Sequence, residues 1–385
     1  MKEHIYLMFV IMGGVAMLPL IARKFRVPTA ALEILFGIVL FSVLGVDRPD
    51  WFSLLKELGL IYLMFIAGME LDLRDILKGK RLFFYLLIPS LTLLSMPLLF
   101  AVLGLNFYLG ISVSVFSVGI AIPVMKEFST MSTRVGKEVL RIAITGELLS
   151  IILLTVLDIY KSHGLTLVAL VYGLKLVSLV ALSVVALKIL YVIAWWNPER
   201  VEKVMESEDP VEEGMRAVIF LAFAGAVIAY MSDIEPILGS FMAGTIFSLV
   251  FKSKGVLEDK INAIGFGFFT PFFFIGVGAD FNLQLFASVE NMYLALSLAL
   301  AVFVGRLYPM AMSPFIGLTF REGMSVSILI SSPFSLMIIA GTLGQKTGFI
   351  NSRANSSLIL AALISSILYP TIYRVFIKSV RVSGE

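Results

Sequence analysis

The 385-residue chain contains no cysteine and only two histidines, His4 and His163. Disulfides, thiol catalysis and cysteine metal sites are therefore excluded. Both histidines lie near the ends of apolar stretches, which gives a histidine-bound zinc or haem little support. Charge is scarce too: Asp, Glu, Lys and Arg make up 15% of the residues, against roughly 25% in a soluble protein. The formal net charge of +3 is too small to suggest nucleic-acid binding. No Ser/His/Asp set, pair of catalytic acids or zinc-ligand spacing stands out, so an enzyme is not expected, nor is a cofactor. Polar stretches are short, the longest being the acidic connection 197–213. No Gly-rich nucleotide-binding module is found at either end, so neither ATP drive nor nucleotide control is expected.

What the chain has is apolar length. It is 59% hydrophobic, with a mean hydropathy of +0.98, whereas soluble proteins are about 45–50% apolar. No single core could bury this excess, but lipid can. A spanning helix needs about 20 mostly apolar residues, with a range of roughly 17–25. Thirteen stretches qualify, near 5–22, 29–46, 57–71, 82–103, 107–125, 138–160, 165–195, 215–232, 236–251, 261–280, 291–316, 322–343 and 355–377. The third can begin nearer Phe52. The first lacks a small-residue cleavage site and reads as a retained helix. If the connection Arg23–Arg26 is cytoplasmic, that side collects 21 basic residues and the opposite side 6. By the positive-inside rule the N-terminus is then outside and the C-terminus cytoplasmic. The expected location is the plasma membrane. The expected fold is an all-α polytopic membrane protein forming a single transmembrane domain over residues 1–385.

The chain also repeats itself. Gly59, Phe65, Gly68 and Asp72 in the third span match Gly267, Phe273, Gly276 and Asp280 in the tenth, all at an offset of 208. Ser117-Val118-Gly119-Ile120 and Ser325-Val326-Ser327-Ile328 match at the same offset, and Ile34–Gly37 resembles Phe241–Gly244 with a one-residue slip. Spans 1–6 (about 5–160) thus resemble spans 8–13 (about 215–377), with a linker helix at about 165–195. Seven spans separate equivalent positions, so the copies insert with opposite orientation. Inverted-topology repeats are a signature of secondary transporters, whose sites lie near the midplane on interrupted helices.

Two spans are candidates for interruption. The fifth contains Ser117, Gly119 and Pro123; the twelfth contains Ser325, Ser327, Ser332, Pro333 and Ser335. Pro and Gly weaken a helix, while Ser can satisfy freed backbone groups or bind an ion. An ordinary proline kink with close helix packing would use the same residues. Glu147, in Thr145-Gly146-Glu147, lies near the middle of the sixth span. A charge there costs on the order of 2.5–3.5 kcal/mol even on lenient scales, so it is either functional or structurally paired. A buried carboxyl that can hold either a proton or a metal cation supplies the simplest chemistry of exchange. Arg306 is deep in the eleventh span and needs an acidic partner, for which Glu147 is the candidate. Arginine remains protonated in proteins, so it cannot carry an exchanged proton. Asp72 and Asp280 read as helix caps or a funnel rim. Glu33 reads as an entrance residue or a surface ion pair near Arg26, and the Phe269–Phe274 run as core or lipid-facing.

Several stretches resemble the cation:proton antiporter superfamily, in the branch of the Kef-like and Nap-like exchangers. They are Leu32–Ile38, Leu58–Leu60, Phe65–Leu71, Ser117–Glu127, Leu238–Gly244 and Phe272–Gly278. The resemblance covers the chain from about residue 28 to its end. It implies a homodimer with a scaffold and a mobile ion-carrying part that holds two crossed, discontinuous helices. The family's ion-binding carboxylate falls on Glu147, and its basic residue in the eleventh span on Arg306. The family's second polar or acidic residue in the sixth span is Gly146 here, and the Thr of a Thr-Ser pair is Phe116. The expected function is exchange of a monovalent cation (Na+ before K+ or Li+) for protons in the lipid bilayer. Glu147 is expected as the shared cation and proton site, Ser117 and Thr145 as ion-binding partners and Arg306 as charge-balancing. Gly119, Pro123, Ser332 and Pro333 are expected at the helix breaks. With one titratable carboxylate, the exchange is expected to be electroneutral. The residues also admit a sodium-coupled symporter for an organic anion, or a non-transporting sensor or channel on the same fold.

Overall fold

The computed structural model describes residues 2–25, 29–69, 81–128, 130–131, 133–164, 213–232, 236–250, 255–280 and 289–382, with seven single positions between 171 and 185. Among these residues there are helices and no strands. The linker helix expected at about 165–195 falls largely outside them, as do Asp72 and the acidic connection. The remaining twelve expected spans are all present as helices, eight of them long and apolar enough to cross a membrane on their own.

The chain divides into two compact units. The first comprises Met1–Asp75 and Thr155–Asp280; the second comprises Ile76–Leu154 and Phe281–Glu385. Each therefore takes three expected spans from each repeat.

The first unit contains α1 (Lys2–Phe25), α2 (Thr29–Gly37), which continues into a π-helical stretch at Ile38–Val43, and α3 (Asp50–Met69). The second unit then begins with α4 (Leu82–Val102), the short helices α5 (Phe107–Ser114) and α6 (Ala121–Glu127), and α7 (Arg134–His163), whose last turns fall in the first unit. The first unit is completed by α8 (Glu213–Met231), α9 (Pro236–Val250), α10 (Gly255–Ile264), a second π-helical stretch at Gly265–Phe269, and α11 (Thr270–Ala279). The second unit continues with α12 (Val289–Gly305), the single turns α13 (Tyr308–Ala311) and α14 (Ser313–Ile316), α15 (Phe320–Ile330), α16 (Phe334–Lys346) and α17 (Ser352–Val382).

Lipid offers no hydrophobic drive for helices to associate, so close backbone approach through small residues takes its place. In the first unit this is done by Gly37, Gly68 and Gly244 of the internal repeat, together with Gly278. A Cβ added to Gly68 of α3 would lie 2.0 Å from the Phe241 carbonyl oxygen of α9, and one added to Gly244 of α9 would lie 2.0 Å from that of Phe65. Likewise a Cβ at Gly37 of α2 would lie 2.1 Å from the Ile275 carbonyl oxygen of α11, and one at Gly278 would lie 2.1 Å from that of Ile34. Span 2 thus packs on span 10 as span 9 packs on span 3, the exchange that the repeat implies. Phe272, Phe273 and Phe274 are buried, so the phenylalanine run is core.

One local reading changes and another is settled. Glu33 is not at the surface: it is buried, with 4% of its area exposed. The third span takes the earlier of its two expected starts, beginning at Asp50 close to Phe52, which brings Lys56 into the helix, where it pairs with Asp280 at the end of α11. Arg48 pairs with the same carboxylate at 2.6 Å.

Gly244→Val and Gly37→Val should each lower the unfolding midpoint in detergent by the equivalent of about 1–3 kcal/mol or more, the cost of overpacking against backbone. Gly13→Ala meets nothing within 4 Å and should leave the midpoint in place. Equal midpoints for all three variants in a thermal-unfolding assay would contradict the glycine packing.

Candidate functional site

Every residue of the candidate site belongs to the second unit. Asn106 starts α5 by accepting a hydrogen bond from the Tyr108 backbone N–H at 2.8 Å. The helix stops at Ser114, and Val115 adopts an extended conformation with φ −63° and ψ 145°. Residues 115–118 are not helical, and α6 begins at Ala121. The break therefore precedes Pro123, which lies in the first turn of α6, where proline is tolerated. Gly119 lies in the turn between the two half-helices. The twelfth span is also broken: α15 and α16 are bent by 47° across Ser331–Pro333. There the serine hydroxyls rescue freed carbonyls, Ser331 donating to Ser327 at 2.6 Å and Ser332 to Leu329 at 2.7 Å.

The two breaks meet. The Tyr108 hydroxyl of α5 donates to the Ala340 carbonyl of α16 at 3.0 Å. A Cβ at Gly119 would lie 3.1 Å from Ser335 Oγ and 3.7 Å from Ser117 Oγ, so both hydroxyls border the same small space.

A broken helix leaves carbonyls without partners at one end and N–H groups without partners at the other. Aligned peptide dipoles make the first end partly negative and the second partly positive. Opposite side-chain charges meet these two ends. Glu147, 1% exposed on α7, accepts from the Ser117 hydroxyl and from the Val118 backbone N–H, each at 3.3 Å, at the head of α6. Arg306, fully buried just past α12, donates through Nη1 to the Val113 carbonyl at 2.7 Å and through Nη2 to the Val115 carbonyl, at the tail of α5. Nη1 also reaches the Val302 carbonyl at 3.3 Å. The guanidinium lies 4.4 Å from the centre of the Phe116 ring, a contact worth about 2 kcal/mol when desolvated. Among the described residues no carboxylate partners Arg306. The expected Arg306–Glu147 pair is replaced by two separate contacts to opposite ends of one break.

The other expected residues divide. Ser117 is at Glu147. Thr145 is not: its hydroxyl donates to the Tyr85 carbonyl of α4 at 3.0 Å and to carbonyls of its own helix, pinning α7 to α4. Three residues outside the expected set belong to the site. Ser335 faces Gly119. Ser150, one turn beyond Glu147, accepts from the Phe116 N–H at 3.0 Å and so holds the extended strand. Its i,i+3 spacing from Glu147 was the available signal. Phe116 is the third: a Cβ at Gly146 would fall 2.4 Å from its Cγ, so the ring occupies the space that a side chain at 146 would need. The two departures from the family pattern, Phe116 and Gly146, are thus one packing unit. Nearer the start of α7, the buried Glu138 accepts from the Tyr85 hydroxyl at 3.1 Å and from Arg141 at 2.9 Å.

Two broken spans side by side, one of them with a buried carboxylate at its break, form the arrangement seen in transporters of the discontinuous-helix kind. Residues 9–378 match the family described as sodium/hydrogen exchanger, transmembrane, and the chain belongs to that family. It is 26% identical to YjbQ of Bacillus subtilis over 94% of this chain, and spans only 61% of the length of that relative. It is 25% identical to the Methanocaldococcus jannaschii protein named "Probable Na(+)/H(+) antiporter 3", over 97% of each chain. Its fold matches that of the sodium proton antiporter MjNhaP1 from the same organism, with a TM-score of 0.62 and 16% identity over 97% of this chain and 96% of that one. That likeness shows the fold alone.

Gly146→Asn alone should collide with the Phe116 ring and lower both the unfolding midpoint and the yield of folded protein. Phe116→Thr combined with Gly146→Asn should recover most of the loss. A double-mutant cycle of thermal unfolding would read a coupling of about 0.5–3 kcal/mol; additive losses would rule out the shared packing.

Proposed function

We propose that this protein exchanges a monovalent cation, Na+ before K+ or Li+, for protons across the plasma membrane by alternating access. Glu147 is the group that holds either the cation or the proton. The observation that carries this reading is the position of Glu147: buried near the middle of its span, with its carboxylate at the break, among the Ser117 hydroxyl and the Val118 N–H. The Ser335 hydroxyl, which borders the same space as the Ser117 hydroxyl, adds an oxygen donor that suits a hard cation. Arg306 compensates the tail of α5 and keeps a constant charge through the cycle.

One carboxylate titrates while one guanidinium does not, so one cation moves for one proton and no net charge crosses. Alternating access follows from movement of the unit that holds both broken helices, with the other unit as scaffold. The family resemblance supports a homodimer. The asymmetry of basic residues supports an outside N-terminus and a cytoplasmic C-terminus.

In proteoliposomes carrying an imposed pH gradient, added Na+ should drive proton movement by the wild type, and Glu147→Gln should fall to the level of empty vesicles. Clamping the membrane potential at different values should leave the wild-type rate unchanged. Proton flux in the Glu147→Gln protein equal to wild type would overturn the assignment of the site, and a rate that follows the potential would overturn electroneutrality.

Competition for one carboxyl also sets the sign of the pH dependence. Protons occupy the group as pH falls, so the half-saturating Na+ concentration should rise on the acid side, by up to about tenfold per pH unit. A half-saturating concentration independent of pH, measured by the same flux assay across the acid limb, would contradict a shared site.

A further inference from the structure

The ends of α4 and α7 carry an arrangement that exchange at Glu147 does not use. Arg81 immediately precedes α4, and Arg134 is the first residue of α7. Both guanidiniums converge on Gly317, which closes α14 in the left-handed conformation with φ +73°. A Cβ built on Gly317 would lie 2.5 Å from Arg81 Nη2 and 2.8 Å from Arg134 Nη2. The two like charges therefore sit within about 5 Å of one another and repel.

Among the described residues little offsets them. Arg81 Nη1 donates to the Ile316 carbonyl. Among the described residues neither arginine forms an ion pair with a carboxylate. The nearby acid Glu322, in the first turn of α15, is engaged in that helix's capping box, bonded to the backbone N–H and hydroxyl of Thr319. Both arginines also stand at helix N-termini, where the peptide dipoles favour an anion over a cation. One tetrahedral anion, reached by two guanidinium forks, would relieve all of these at once.

The surroundings say which anion. Phe83 (66% exposed), Phe315 (60%) and Phe320 (64%) are the close sequence neighbours of Arg81 and Gly317, and Phe315 stacks on Phe84 at 5.5 Å. A free phosphate has no use for exposed aromatic rings, whereas a phospholipid carries acyl chains directly below its phosphate. We propose that Arg81 and Arg134 clamp the phosphate of an anionic phospholipid, with Phe83, Phe315 and Phe320 against its chains. The clamp ties together the ends of α4 and α7, the two helices joined further along by the Thr145–Tyr85 bond and the second of which carries Glu147. The site does not depend on which ion is exchanged.

The test is thermal unfolding of the full chain in a neutral detergent, titrated separately with phosphatidylglycerol, phosphatidylcholine and inorganic phosphate. Phosphatidylglycerol should raise the wild-type midpoint by several degrees beyond phosphatidylcholine, as expected for a ligand of the folded state. Arg81→Gln and Arg134→Gln should each lose most of that increment. Lys137→Gln, which removes an exposed lysine one turn along α7, should keep it. Glu147→Gln should keep it as well, so failure of the exchange reading would leave this result standing. Native mass spectrometry supplies a second readout, with phosphatidylglycerol retained by wild type and lost from the arginine variants even where their midpoints are low. A variant-sensitive shift produced by inorganic phosphate and not by the lipid would keep the anion clamp and overturn its lipid source. The same phosphatidylglycerol increment and retention in both arginine variants as in wild type would overturn the proposal.

Discussion

The second unit depends on a helix that stops and restarts in a low-dielectric interior. Each stop exposes peptide groups that water cannot reach, and an unsatisfied group there costs several kcal/mol. The break at Val115–Val118 is tolerated because its partly negative end meets Arg306 and its partly positive end meets Glu147. These two contacts differ in kind. Arg306 is held by three carbonyls and a ring face, and its charge does not change. Glu147 is reached by the Ser117 hydroxyl and the Val118 N–H. The two charges are thus held at opposite ends of one short stretch of backbone, instead of being merged in a permanent ion pair.

The surrounding residues serve this division. Ser150 holds the extended strand through the Phe116 N–H, and the Phe116 ring lies between the arginine and the helix that carries Glu147. Thr92 on α4 bonds the Gly305 carbonyl at 2.8 Å, which fixes the end of α12 just where Arg306 departs from it. Thr145 performs the corresponding task for α7. The first unit meets the same absence of a hydrophobic drive in another way. Its helices approach through paired glycines until backbone touches backbone, at places where any larger side chain would overlap a carbonyl.

Much of this was legible before any coordinates. The apolar stretches, the offset of 208 and the isolated Glu147 are one-dimensional features. They follow from a membrane that demands about 20 apolar residues per crossing and charges heavily for an acid at its centre. Twelve expected spans were found as helices, and both interruptions fell in the spans rich in Ser, Gly and Pro. Family membership followed from the same features, since motif order and spacing are properties of the chain alone.

The tertiary structure decided which side chain meets which. Pro123 looked like the cause of the first break, yet it sits in an ordinary first turn beyond it. Arg306 seemed to require an acid, but its partners are carbonyls some 190 residues away in the chain. Glu33 seemed exposed and is buried. The space beside Gly146 is filled by Phe116, and Ser335 reaches Gly119 from the opposite repeat. No periodicity encodes such contacts, because lipid constrains how long and how apolar a helix is and leaves its rotation and its neighbours to packing. The sequence by itself determined that this protein crosses the membrane many times and carries an acid, Glu147, near the middle of a span, where an acid is costly. Only the folded chain determined what that acid touches.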